Sequence, residues 1–457
     1  MVAQIYIVGA SMHARGRHNR RMRHLFLSCT LGLGSIAGCA APPVSPPVAA
    51  APTPAAAPSA APAAAAPTAA ATTPADGTDE AGAAHAASFG DWLAGFAERA
   101  RAAGIGNATI QGALLRARWQ PEVVRLDRAQ PEFTRTPWNY LDNAVSPLRV
   151  QQGQRQYQRN AKALQGAGAR YGVEPGVLVA IWGMESNYGR NFGSFSTVDA
   201  LATLAFDGRR RAWAERELLA ALTILDQDGI APERLQGSWA GAMGHTQFLP
   251  SVYLAYAVDA DGDGRADIWA SVPDVAASTA NYLASSGWQS GQPVIAEVRL
   301  PAGFDYARAE LAVHQSSAKW DDEGVRSQDR APLPALDDAS IIAPAGAHGP
   351  AILVGANFRA LLRYNNSVNY ALAVALLARR IEGAGGLAAA WPRDEEPLSR
   401  SQIRAMQEAL NAQGLQAGTA DGVMGPATRA AVRRYQRGQG LPADGYATQQ
   451  LFEKISQ

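Results

Sequence analysis

Hydrophobic positions return at helical spacing over most of the chain. Residues 89–103, 151–171, 213–228 and 273–286 are Ala-rich stretches with apolar side chains gathered on one side, which predicts a run of amphipathic helices up to about Gly287. The pattern changes between about Val294 and Phe358, where 294–300 and 351–354 read as short strands among loops. Helical spacing resumes over 358–382. The strand-bearing piece is therefore expected to be a small insertion within one mainly α domain, spanning 89–390. A Pro-flanked, acidic linker at 391–397 then leads to a last unit, 398–457. In that unit apolar helical spacing at 403–410 and 431–436 alternates with Asp421-Gly422 and Asp444-Gly445, which predicts a small three-helix domain punctuated by turns.

Ahead of the first helix the pattern vanishes. Residues 39–88 are Ala, Pro and Thr with almost no large apolar side chain, a composition that cannot bury a core and is expected to act as a disordered tether. Residues 1–38 read as an export signal: a basic start at Met22-Arg23-His24, then an apolar run too short to span a bilayer. The run ends in Ile36-Ala37-Gly38-Cys39, which resembles a bacterial lipoprotein box. Cys39 is then expected to become the lipidated first residue of the mature chain, and Met22 the true start. Ala40 is not the Asp that often holds lipoproteins at the inner membrane, so the expected location is the periplasmic face of the outer membrane.

Composition narrows the function. The chain has 457 residues, 47% of them hydrophobic, and a formal charge of +1. No basic excess stands ready to neutralise phosphates, which argues against a nucleic-acid partner. The only cysteines are Cys29 and Cys39, so neither a disulfide framework nor a Cys-based metal site is expected in the folded part.

The sharpest candidate is Glu185, near the end of a predicted helix opened by Pro175 and closed by Asn187 and Gly189. It lies four residues after Ile181 and seven after Leu178, hence on the same apolar face. Desolvation there disfavours the charged carboxylate and raises its pKa, the state a general acid needs. The same spacing equally suits a buried Glu paired with an Arg such as Arg190. In the segment 237–251, small residues at 240–244 would let the backbone approach a ligand, or would serve tight helix packing. Gln247 both donates and accepts hydrogen bonds, and Trp239, Phe248 and Tyr253 could offer faces to sugar rings. Asp259, Asp261, Asp263, Arg265 (by its backbone carbonyl) and Asp267 have calcium-loop spacing with Gly264 at the turn, except that Ala270 stands where a bidentate Glu is usual. A structural calcium ion is one reading and an ion-free surface turn the other; no other cofactor is expected.

Together these segments resemble the lytic murein transglycosylases of the membrane-bound B family. The resemblance rests on Gly183-Met184-Glu185-Ser186-Asn187-Tyr188-Gly189-Arg190, Asp199–Leu204 and the Gly241-Ala242-Met243-Gly244 to Ser251 element. Arg363-Tyr364-Asn365-Asn366-Ser367-Val368-Asn369-Tyr370-Ala371 completes it. It implies a lysozyme-like α+β catalytic fold, with Glu185 as acid and then base. It also implies Gln247, Tyr364, Asn365, Tyr370, Tyr140 and Met243 near the glycan. The implied reaction cuts peptidoglycan between N-acetylmuramic acid and N-acetylglucosamine, the muramyl C6 hydroxyl closing onto C1 as a 1,6-anhydro ring. Asp199, Glu215 and Glu217 are the nearest other carboxylates in sequence and are expected in salt bridges or at the surface. The last unit is similar to the small peptidoglycan-binding domain, or else packs on the core without binding. The expected partners are thus glycan strands and, through Cys39, a membrane, with the protein a monomer. A hydrolytic muramidase and a non-catalytic wall-binding scaffold are the competing readings.

Overall fold

The computed structural model describes residues 79–129 and 135–457, with side chains from Ser88 onward. The expected signal, Cys39 and the tether up to residue 78 lie outside the described residues. The first described helix, Asp79–Ala102, begins ten residues before the expected domain start at Phe89, so the end of the expected tether is helical. Its Ala-rich composition explains this, since Ala is the strongest helix former.

Two helices form the centre of the molecule. Pro175–Ser186 is buried from Gly176 to Gly183 and again at Glu185 and Ser186. Val368–Ile381 is buried from Tyr370 to Ala378 and at Ile381. The expectation of a single apolar face on the first helix is corrected: it is enclosed all round, as a helix apolar on every side must be. Pro at the first turn starts it, and Asn187 in a left-handed conformation (φ 50°) ends it. A Cβ on Gly176 would sit 2.3 Å from the Glu382 carboxyl, and one on Gly183 would sit 2.6 Å from the Tyr188 ring. Glycine at these positions is what lets the neighbours close in.

Two predicted helices are broken in two. The 151–171 stretch divides into Pro147–Arg159 and Ala161–Tyr171, with Asn160 between them as the C-cap of the first. The 358–382 stretch divides into Ala356–Tyr364 and Val368–Ile381, because Ser367 caps the second helix by accepting from the Tyr370 N–H at 3.3 Å.

Strands β1 (Phe195–Ser196) and β2 (Gln236–Gly237) pair antiparallel, and β1 leads directly into helix Thr197–Asp207. Strands β3 (Ile295–Arg299), β4 (Arg326–Ser327), β5 (Ser340–Ile342) and β6 (Ala351–Val354) form an antiparallel sheet in the order β4-β3-β6-β5. Ile295 pairs with Val354, and Ser340 with Val354 on its other side. Alternation along β6 explains its unbroken apolar run. Ile352 and Val354 join the main core, while Ala351 and Leu353 join a small core around Trp320 and Ile341. The sheet is thus an insertion that shares one face with the helical domain.

The C-terminal unit has its own core, including Ile403, Met406, Leu410, Val432 and Leu451, under helices Arg400–Ala412, Pro426–Gly438 and Gln449–Ile455. Its two Asp-Gly turns are held in the same way. Gln407 accepts from the Gly422 N–H at 2.8 Å and donates to Asp421 at 3.2 Å. Gln436 accepts from the Gly445 N–H at 2.8 Å and donates to Asp444 at 2.7 Å. One helix glutamine per turn satisfies a buried peptide N–H and orients the acid.

Candidate active site

Glu185 lies on the last turn of the Pro175–Ser186 helix and is 3% exposed. Its Oε1 accepts a hydrogen bond from the Tyr370 hydroxyl at 2.5 Å. Burial pushes its carboxyl up to about 8, and the Tyr370 bond opposes that only in part. Among the described residues no cation offsets the burial. The alternative of an Arg190 pair is corrected: Arg190 is exposed, and the partner of Glu185 is a phenol. Tyr140 and Tyr364 lie close enough for the Glu185 charge to raise their phenols, on top of desolvation, and Tyr140 reaches about 12. Glu185, Tyr140, Tyr364 and Tyr370 are therefore one buried cluster, in which all three phenols stay protonated donors.

The segment 237–251 folds as a buried loop leading into helix Pro250–Tyr256. Tyr364 fastens it by donating to the Thr246 carbonyl at 2.6 Å. Gln247, in a left-handed conformation (φ 51°), donates to the carbonyls of Phe192 at 2.9 Å and Gly244 at 3.0 Å. Its Oε1, both amide atoms of Asn365 and the Thr246 hydroxyl are buried without a hydrogen-bond partner. Such orphaned groups are uncommon and are what a polar ligand would satisfy.

Two expectations for this loop are corrected, and of the two readings of its glycines tight packing holds. The glycines are closed by protein rather than open to a ligand: a Cβ on Gly241 would meet Leu201 at 2.7 Å, and one on Gly244 the Ile268 carbonyl at 2.7 Å. Trp239, Phe248 and Tyr253 are 8%, 2% and 4% exposed, so they pack the core and present no faces to sugars. Met243 is fully buried, and its N–H bonds the Phe248 carbonyl at 2.8 Å. It supports the loop from beneath.

Sequence reasoning missed His245. It is buried, stacks on Trp182 with centroids 5.9 Å apart, and closes over Gly189 (φ 79°), where a Cβ would fall 2.3 Å from the imidazole. Burial lowers its pKa, which keeps the ring neutral. The signal was Gly189, left-handed just past the helix end, but nothing local named the ring that closes over it.

The other carboxylates have partners of their own. Glu215 is bound by Arg99 through two 2.9 Å bonds. Asp199 accepts from the Arg118 N–H and the Gln120 amide, each at 3.2 Å. Glu217 is buried and accepts from the Ser251 N–H at 3.0 Å and its hydroxyl at 2.9 Å, capping the helix that follows the loop.

In the acidic loop, carboxylate oxygens of Asp259, Asp261 and Asp263 lie within 4.8 Å of one another. Arg265 donates its N–H to Asp263 at 2.9 Å. Asp267 stands outside this group. It accepts from the Trp269 and Ala270 N–H groups at 2.9 Å and from Arg234 at 3.2 Å. Buried Asp274, which spacing did not single out, ties the loop's two ends by accepting from Ala260 and Asp267, both at 2.8 Å.

A helical domain holding one neutral, buried glutamic acid among phenols and unsatisfied amides has the make-up of a polysaccharide-cleaving enzyme. The chain belongs to the family described as “Transglycosylase SLT domain”, whose model matches residues 88–379. A second model, “Putative peptidoglycan binding domain”, matches residues 399–455. The chain is 34% identical over 294 residues to membrane-bound lytic murein transglycosylase B of Escherichia coli (strain K12), covering 61% of this chain and 79% of that protein. Its fold is similar to SltB3 of Pseudomonas aeruginosa in complex with NAG-anhNAM-pentapeptide. There the identity is 48% and the TM-score 0.78, over 81% of this chain and 99% of that one. It is also similar to Slt35 of Escherichia coli in complex with calcium. In that case the identity is 32% and the TM-score 0.56, over 64% and 92% of the two chains.

Because the Glu185 pKa is raised on folding, the native state holds a proton that the unfolded chain releases above about pH 4.5. Stability is thereby lost as pH rises from about 4.5 to about 8. Glu185→Gln keeps an acceptor for Tyr370 but does not titrate. Urea unfolding is expected to find it equal to the parent near pH 4 and more stable by about 3 kcal/mol at pH 7. A constant difference across that range would show that Glu185 is not buried as an acid.

Proposed function

We propose that the protein is a lytic transglycosylase that cuts peptidoglycan glycan strands without water, with Glu185 as its one acid/base. The observation that carries this reading is the state of Glu185: buried, protonated at neutral pH, and with no carboxylate among the described residues raising its pKa by charge. A retaining glycosidase ordinarily needs a second carboxylate about 5 Å away as nucleophile. Here Glu185 gives its proton to the glycosidic oxygen as the C1–O bond breaks. The carboxylate that remains is stabilised by the Tyr370 hydroxyl. It then removes the proton from the muramyl C6 hydroxyl, whose oxygen bonds to C1. One C–O bond breaks, one forms, and the proton returns to Glu185. The complex of SltB3 with NAG-anhNAM-pentapeptide supports this outcome. Gln247 and Asn365, with buried unpaired polar atoms, are assigned to holding the sugars' amide and hydroxyl groups, and the C-terminal unit to binding the wall polymer.

Mass spectrometry of purified peptidoglycan after digestion tests it. Products ending in 1,6-anhydromuramic acid are expected, with the rate falling about 10²–10⁴-fold in Glu185→Gln. Reducing ends one water heavier would make the enzyme a muramidase instead.

We further propose that the 259–267 loop holds a structural calcium ion. Clustered oxygens of Asp259, Asp261 and Asp263 suit a hard cation, the Arg265 carbonyl completes the loop pattern, and Asp267 would act through a water. The ion would rigidify the loop beside the 237–251 segment and take no part in proton transfer. Calcium is expected to raise the unfolding temperature of the parent and not of Asp261→Asn. No rise in the parent would refute the site.

Cys39 is proposed as a lipidated residue, a reading supported by the membrane-bound relative. Among the described residues no helix is long and apolar enough to cross a membrane. Cys39→Ser is expected to move the protein from the membrane to the soluble fraction of cells, and an unchanged distribution would overturn the anchor.

A further inference from the structure

The linker that joins the two units carries acidic side chains for which the reaction has no use. In the structure Asp394 and Glu395 wall a cavity of 510 Å³. His348 of the insertion closes it on one side, and Asp444, Tyr446 and Lys454 of the C-terminal unit on the other. No residue of the Glu185 cluster lines it.

The cavity is built across the two units. Glu310 of the insertion accepts from Arg429 at 3.2 Å and from Arg433 at 3.0 Å. Asp444 accepts from the Ala347 N–H at 2.9 Å with one oxygen and from Gln436 at 2.7 Å with the other. A Cβ on Gly346 would fall 2.3 Å from that carboxylate, so the second Asp-Gly turn docks against bare backbone. Its acid is thereby fixed at the cavity wall.

The charge of this wall is unbalanced. Glu395 Oε2 is buried without a hydrogen-bond partner. Burial raises the Glu395 pKa, Asp394 and Asp444 add to the rise, and only His348 opposes it. Such a site gains from a cation. A metal ion is a poor fit, because among the described residues only Asp259, Asp261 and Asp263 form a group of three or more such ligands within 4.8 Å of one another. The space far exceeds a single ion. An ammonium group on a longer molecule fits both the spread carboxylates and the Tyr446 ring. Exposed Lys454, which has no ion pair among the described residues, offers a partner for a carboxylate on the same molecule.

We propose that this cavity binds an amine-bearing peptide, so that the linker and C-terminal unit recognise the free amines of peptidoglycan peptide stems rather than its sugars. The proposal rests on the reading that the C-terminal unit binds the wall polymer. It predicts tighter holding of wall whose stems are uncross-linked, since cross-linking consumes the amine.

The test is co-sedimentation of the full chain, carrying Glu185→Gln so that the polymer survives, with purified sacculi. Native sacculi are compared with sacculi whose amines have been acetylated. A second protein adds Asp394→Asn and Glu395→Gln. On native sacculi the added substitutions are expected to weaken binding about fivefold. On acetylated sacculi both proteins should bind equally, at the weaker level, because the cycle isolates the amine contact. Acetylation changes the ligand alone, so that arm holds whether or not the variant folds well. Full binding of the single variant to acetylated sacculi would overturn the amine proposal and leave wall binding standing. No sedimentation with either form of sacculi would overturn both.

Discussion

An acid with 3% exposure, set between two helices that are themselves enclosed, is the constraint around which the catalytic domain is arranged. Water cannot stabilise its anion there, so the resting state is neutral, and the protein must supply the stabilisation when the proton leaves. A single phenol at 2.5 Å does so. That distance requires the backbones of Pro175–Ser186 and Val368–Ile381 to lie side by side. Gly176 permits the approach at one end, since a Cβ there would fall 2.3 Å from the Glu382 carboxyl at the end of the second helix.

The loop at 237–251 meets the same constraint from the other side. Its segment from 238 to 249 has almost no exposure, and a buried loop must find partners for its peptide groups. The chain does so by folding back on itself: the Met243 and Ser238 N–H groups bond the carbonyls of Phe248 and Ala242, both at 2.8 Å. Left-handed backbone at Gly241, Gly244 and Gln247 makes those reversals. At glycine this conformation costs little. At Gln247 it is strained by about 1 kcal/mol or more, and the same residue keeps a buried carbonyl oxygen unpaired. Strain and an unmet hydrogen bond thus meet at one side chain, at the expense of the free protein's stability.

How much of this was legible follows from how local each cause is. The helix start at Pro175 and the short strand at 351–354 are written in neighbouring residues, and they read correctly. So does the desolvation of Glu185, because Leu178 and Ile181 share its helix. The breaks at Asn160 and at 365–367 were missed because the apolar rhythm continues across them, while a cap depends on one side chain turning back to a nearby peptide group. The face of Glu185 was misjudged for a different reason. Whether a helix is half or wholly enclosed depends on partners such as Tyr370, 185 residues away from Glu185 in the chain. The same distance hid the roles of His245 and Asp274, whose neighbours come from other segments. Aromatic residues misled most: Phe248 and Tyr253 carry the side chains of a sugar platform, but burial spends them on the core.

The C-terminal unit shows how a repeated local device can be put to a new use. Both of its Asp-Gly turns are fastened by a helix glutamine with nearly the same geometry. In the first turn Arg400 donates to the Asp421 carbonyl at 3.3 Å, so the contact stays within the unit. In the second, Asp444 turns its free oxygen to Ala347 of the insertion. Combined with Glu310 between Arg429 and Arg433, this fixes the unit's orientation by directed hydrogen bonds rather than by a broad apolar interface. A binding unit on a loose linker raises local substrate concentration wherever the linker reaches. One docked in this way is held in a single orientation against the insertion, through Asp444 on Ala347 and Glu310 between Arg429 and Arg433.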